Sequence, residues 1–138
     1  MRTACSALIV AMLALAACGE SKEDKALSSV CDARADIGKQ VDTLKGLTPS
    51  TVTTDAVKKS LDAIKEDLQD IADARSDLSS DRRSEVDAAN KTFKSSIQQI
   101  AGEIGTSVSA SDAKAGVVTA LQQLGASYEK AYAPLNCD

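Results

Sequence analysis

The sequence predicts an all-α fold, an up-down-up-down four-helix bundle with its ends joined by a disulfide. Three observations carry this expectation. Apolar residues recur mostly at alternating steps of four and three along nearly all of the chain after residue 26, which is the seam of a bundle or coiled coil. Turn and cap signals divide the pattern into four stretches of roughly 25 residues, each about 37 Å long as a helix. One cysteine stands near each end of the patterned region, Cys31 and Cys137. No stretch alternates with period two for long enough to make a strand.

The first stretch carries Leu27, Val30, Ile37, Val41 and Leu44, and Gly46 followed by Pro49 ends it. Thr53 is placed to cap the second, with Val52 and Val57 at the spacing of a hydrophobic staple. That stretch carries Val57, Leu61, Ile64, Leu68, Ile71 and Leu78. The third carries Val86, Phe93, Ile97, Ile100 and Ile104, and is expected to end at Gly105 and the Ser/Thr-rich residues after it. Ser109-Ala110-Ser111-Asp112 has capping-box spacing ahead of the fourth. The fourth carries Val117, Leu121, Leu124, Tyr128 and Leu135 and is closed by Pro134. Similar short strings recur, such as Ile97-Gln98-Gln99-Ile100 and Leu121-Gln122-Gln123-Leu124; we read them as convergence on one heptad pattern.

The joint between the second and third stretches, Leu78 to Val86, holds neither Gly nor Pro. Ser79 or Ser80 can cap a new helix there, with Asp81 favourably in its first turn. The apolar spacing also continues through Arg82, which would give one central helix of about 55 residues with two outer helices folded back on it. Both arrangements bring Cys31 towards Cys137. The bundle is preferred because its segments match in length, whereas the long form leaves two helices in section and a thin core unless it dimerises.

The first 17 residues differ in kind. Arg2 and the amino terminus are positive, and Ala7 to Ala17 is an unbroken run of 11 apolar residues. A spanning helix needs about 20, so the run has the length of a signal-peptide core. It ends in Leu15-Ala16-Ala17-Cys18. These four residues resemble the lipobox of bacterial lipoproteins: an aliphatic residue, two small residues and a cysteine. The resemblance covers the signal region and implies a thioether-linked lipid on Cys18, with cleavage between Ala17 and Cys18. An ordinary secretory signal cut elsewhere and an uncleaved short anchor are the alternatives. Gly19, in place of the Asp that retains such proteins at a Gram-negative inner membrane, implies export to the outer membrane in that setting. The expected organisation is a signal peptide over 1–17, a lipid anchor and polar tether over 18–25, and a helical domain over 26–138. Fully extended, Gly19 to Lys25 reaches roughly 25 Å.

The chain has four cysteines. Cys5 leaves with the signal and Cys18 carries the lipid, so Cys31 and Cys137 remain. An even pair in an exported chain is read as a disulfide; two free thiols or an intermolecular bridge are the alternatives. The bridge would close a loop of more than 100 residues, worth about 4–5 kcal/mol in the chain-entropy model.

Cleavage takes Arg2 and no acidic residue, so the 16 basic residues become 15 against 20 acidic ones, a net charge of −5. That balance argues against nucleic acid as a partner. The chain has no His and no Trp, and Phe93, Tyr128 and Tyr132 are its aromatics. The absence of His excludes an imidazole base, His-ligated metals and haem, and Ser-His-Asp or Cys-His catalysis. No motif supports a Ser-Lys nucleophile. We therefore expect no enzyme, no catalytic residues, no metal and no cofactor.

Five acidic residues, Asp62, Glu66, Asp70, Asp73 and Asp77, stand three or four apart and form a candidate interaction surface for a cation or basic partner. The plainer reading is a solvated face paired with Lys58, Lys59 and Lys65. Tyr128 belongs to the seam, its hydroxyl reaching the edge, and Tyr132 follows one turn later. Phe93 is the largest apolar anchor of the core. Arg34 and Arg75, in or beside seam positions, are expected to pair with acidic neighbours at the rim or to form a polar layer. Gly38, Gly102, Gly116 and Gly125 could leave interior room for a ligand.

The organisation as a whole is similar to that of small helical lipoproteins of actinobacteria, which brings no catalytic residues to carry over. The expected function is a non-enzymatic interaction or structural module on the extracytoplasmic face of the cell membrane. Its partners would be the membrane, through the lipid on Cys18, and an envelope protein or polymer, with the chain a monomer or weak homo-oligomer. The alternative is binding of a small apolar ligand or lipid within the bundle.

Overall fold

The computed structural model describes residue 19, residues 21–107 and residues 114–137. Four helices span them: α1 Lys22–Lys45, α2 Thr54–Ala74, α3 Ser80–Ser107 and α4 Lys114–Tyr132, with a short 3-10 turn, Arg75–Asp77, after α2. Each helix packs on its neighbours in sequence and α4 closes on α1. This is the up-down-up-down bundle. The expected lipobox, Cys18 and the capping-box string Ser109–Asp112 lie outside the described residues.

The seam is the one the spacing predicts, with small residues added where the large ones skip. In α1 the buried positions are Ala26, Val30, Ala33, Ile37, Val41 and Leu44; in α3 they include Val86, Ala89, Phe93, Ile97, Ile100 and Ile104. Leu27, expected in the seam, is only partly buried. Thr53 caps α2 by accepting from the Ala56 N–H at 3.2 Å, and Val52 and Val57, the staple pair, are both fully buried.

Two boundaries differ from expectation. The helix begins earlier than Ala26, because Ser21 and Asp24 form a capping box: the Asp24 N–H donates to Ser21 Oγ at 3.0 Å and the Ser21 N–H donates to Asp24 Oδ2 at 3.2 Å. These hydrogen bonds, the Ser21 hydroxyl foremost, hold the Asp24 carboxyl below its ordinary value. Residues 22–25, expected to belong to a polar tether over 18–25, are therefore the first turn of α1. α3 runs into the Ser/Thr-rich residues expected to end it, reaching Ser107; at the second boundary α4 stops at Tyr132, so Leu135 is buried in the tail beyond the helix rather than on it.

The long central helix does not form. Leu78 takes an extended conformation, φ −81° and ψ 153°, and its side chain is buried. The Ser79 carbonyl accepts the first bond of α3 from the Arg83 N–H at 2.9 Å. Arg83 then turns its guanidinium back onto the carbonyls of Arg75, Ser76 and Leu78 at 3.0–3.3 Å, satisfying acceptors that the end of α2 leaves open. The Glu23 carboxylate of α1 accepts from the Ser79 N–H at 3.2 Å. A break without Gly or Pro is thus held by one buried leucine, one arginine and a neighbouring helix.

Candidate functional site

Cys31 and Cys137 are bonded, with Cα atoms 5.4 Å apart and 106 residues between them in sequence. The bridge ties the tail after α4 to the first half of α1. Two further bonds follow it. The Arg34 guanidinium donates to the Leu135 carbonyl at 3.0 Å, and the Tyr128 hydroxyl donates to the Arg34 carbonyl at 2.7 Å. Arg34 therefore pairs with backbone rather than with an acidic neighbour, the first of the two arrangements expected of it. Higher up the same seam, the Lys45 stem lies against Gly125, where an added Cβ would stand 2.5 Å from Lys45 Cδ. Its ammonium reaches Asp42 at 3.8 Å and Glu129 at 3.7 Å.

The three aromatics form one cluster. Phe93 meets Tyr128 and Tyr132 edge-on at centroid distances of 5.5 and 5.8 Å, and the tyrosines are 5.2 Å apart. Tyr132 is fully buried and its hydroxyl donates to Asn90 Oδ1 at 2.7 Å. Burial pushes both tyrosine pKa values up. The sequence held a signal for this cluster: the large seam residues skip seven positions from Val30 to Ile37 and from Val86 to Phe93. The skipped levels hold Ala33 and Ala89, and there the tyrosine hydroxyls find Arg34 and Asn90. The room expected at Gly38 and Gly125 is occupied, since a Cβ on Gly38 would stand 3.0 Å from Tyr128 Oη. At Gly102 and Gly116 a Cβ would meet nothing within 4 Å, and both are exposed on the outside of their helices.

The five acidic residues of the candidate interaction surface follow the exposed crest of α2 and its 3-10 turn, but they do not converge. Asp62 pairs with Lys65 at 3.1 Å, and Asp73 accepts from Gln69 at 2.8 Å. Asp70 and Asp73 face α1 instead, across a groove of ≈ 480 Å³ that Asp32, Asp36 and Asp67 also line. Asp67, missed in the sequence, carries a raised pKa from partial burial and then from Asp36, Asp70 and Glu66. Glu66 and Asp77 line neither this groove nor its opposite. Among the described residues, no group of three or more acidic or Cys side chains is placed to hold a metal ion.

The opposite side of α2 carries the reverse charge. A groove of ≈ 470 Å³ between α2 and α3 has Leu68, Ala72 and Ile97 in its floor. Lys65, Arg75, Lys91 and Lys94 surround it, with Asp87 as its carboxylate. Arg75 and Asp87 form an ion pair across the helices, the acidic pairing expected of Arg75. A second groove of ≈ 230 Å³, sharing Lys65 and lined by Thr54, Lys58, Leu61, Asp62, Ala101 and Ile104, extends the seam towards the other end of the bundle. Sequence reasoning missed this site because its cations come from two helices whose register only the packing sets.

No described helix is long and apolar enough to cross a membrane. No family model matches the chain, and no curated protein or solved structure is significantly similar to it.

Proposed function

We propose that this chain is a lipoprotein precursor whose mature form is held by a lipid on Cys18 at the extracytoplasmic face of the cell membrane. There it acts as a non-enzymatic interaction or structural module of the envelope. The observation that carries the reading is the string Leu15-Ala16-Ala17-Cys18 at the end of the apolar run. The cysteine count supports it: with Cys31 and Cys137 bonded to each other and Cys5 inside the signal, Cys18 is the thiol left for a lipid. The short distance from Cys18 to the capped start of α1 would keep the bundle close to the bilayer. Surface complementarity on a disulfide-locked bundle is the mechanism, and the lipid supplies local concentration.

Metabolic labelling with an alkyne fatty acid tests the anchor. Label is expected on the wild type and lost in Cys18→Ser. An unlabelled wild type, or label that survives the substitution, refutes it. The second reading, binding of an apolar ligand or lipid, is favoured by one observation, the apolar-floored groove between α2 and α3. On this reading the ligand would lie on the flank of the bundle rather than in its interior.

A further inference from the structure

We infer that the α2–α3 groove binds a single-chain anionic amphiphile, its carboxylate between Lys91 and Lys94 and its hydrocarbon chain laid along the seam towards Leu61, Ala101 and Ile104. The inference develops the second reading above and does not depend on a lipid at Cys18.

Charge selects the head group. The expected mature chain is acidic, yet this one groove gathers four cations around a single carboxylate. Two of the four are already engaged, Lys65 by Asp62 and Arg75 by Asp87. Lys91 and Lys94 have no carboxylate within ion-pair distance among the described residues. They lie three apart on α3, so both ammonium groups can reach one anion from the same helix face. Opposite charge at such a site is attracted, and the floor beside it is apolar.

Shape selects the body. The two grooves share Lys65 and together hold ≈ 470 and ≈ 230 Å³, within the roughly 300–1,000 Å³ of small-molecule sites. From Arg75 to Lys58 the seam runs about 25 Å at the helix rise. Its helices approach closely, the Asn90 amide lying 3.5 Å from the Leu68 carbonyl. The furrow that remains suits one hydrocarbon chain better than a helix about 10 Å across. The matching groove between α1 and α2 has nearly the same volume but is lined by five aspartates, so an anionic head is refused there.

The test uses the oxidised chain of residues 19–138, whose described core comes entirely from Ala26 to Leu135. Decanoate, decanol and acetate are titrated into the 15N-labelled protein by NMR. Decanoate is expected to shift the amides of Leu68, Ala72, Lys91, Lys94, Ile97 and Ala101. Acetate should shift none of them, and decanol should bind more weakly. Lys91→Gln with Lys94→Gln is expected to weaken decanoate about tenfold, as for two surface ion pairs of ordinary strength. Lys59→Gln with Lys130→Gln, the same charge change elsewhere, should not. No shift in the groove, equal binding of decanol, or equal loss in the control pair overturns the inference. Binding of an acidic helical peptide or of anionic vesicles to the groove in place of decanoate also overturns it. A second variant, Ala72→Glu, should abolish the groove shifts by placing a like charge in the floor.

Discussion

The α1–α4 seam and the α2–α3 seam lie on opposite sides of the bundle and are finished in opposite ways. On the first, a disulfide, an arginine–carbonyl bond, a tyrosine–carbonyl bond and a lysine stem laid over a glycine tie the helices together, with an open cleft of ≈ 390 Å³ beside the bridge whose lining carries Asp32 and Arg34. On the second, apart from the exposed Arg75–Asp87 pair and one long amide contact, the helices leave a furrow with an apolar floor and a cationic rim. Hydrophobic burial is shared by both, since the core runs through all four helices. The difference lies in what covers that core from outside. Small residues make it plain: Gly38 and Gly125 are small because something lies against them, whereas Ala72 and Ala101 line open grooves.

Removing the disulfide should break the contrast most strongly. Cys31→Ser with Cys137→Ser is expected to lower stability by up to about 4–5 kcal/mol, the chain-entropy value for a loop of this length. Denaturant unfolding measures it, and loss of protection in the 133–137 tail by hydrogen exchange would show that the α1–α4 seam opens first. Phe93→Ala should cost about 3–5 kcal/mol, because Phe93 is fully buried and supports both tyrosines. A melt displaced by only a degree or two would show that the cluster can collapse around the gap.

Paired small-to-large changes sharpen the comparison. Gly38→Val should destabilise by about 1–3 kcal/mol, since its side chain would displace the Tyr128 hydroxyl from the Arg34 carbonyl. Ala72→Leu, on the open seam, should stay within about 0.5 kcal/mol of wild type. Equal effects at the two sites would mean that the seams are packed alike. The acidic groove supplies the smallest effect. Asp67 holds its proton to higher pH in the fold than in the unfolded chain, so its cost is absent well below the ordinary carboxylate value of 3.8 and grows as pH rises above it. Asp67→Asn is therefore expected to stabilise by about a few tenths of a kcal/mol at pH 7, after solvent screening. The gain should fade as melts are repeated at falling pH.

Much of the fold was legible in advance because its signals are local or periodic. Steps of three and four place Val57, Leu61, Ile64, Leu68 and Ile71 on one face whatever they pack against. Thr53 caps α2 through an atom of its own turn. The capping box at Ser21 and Asp24 was equally local, and the charged run around it disguised a helix start as a tether.

Other features are not properties of any segment. The sequence alone determined the helical class, the faces that become the core, the cysteine pair in reach of each other, and the lipobox-like string from which the anchor is proposed. Tertiary structure decided that the chain turns at Leu78, because that break relies on Arg83 reaching back to three carbonyls and on Glu23 arriving from α1. It also decided that Tyr132 is buried against Asn90, and that the cations of α2 and α3 surround one furrow while five aspartates of α1 and α2 surround another. Spacing within a helix fixes which residues share a face. Which faces meet, and which are left uncovered, depends on the register and rotation of whole helices, and those are set by the sum of the contacts in the core.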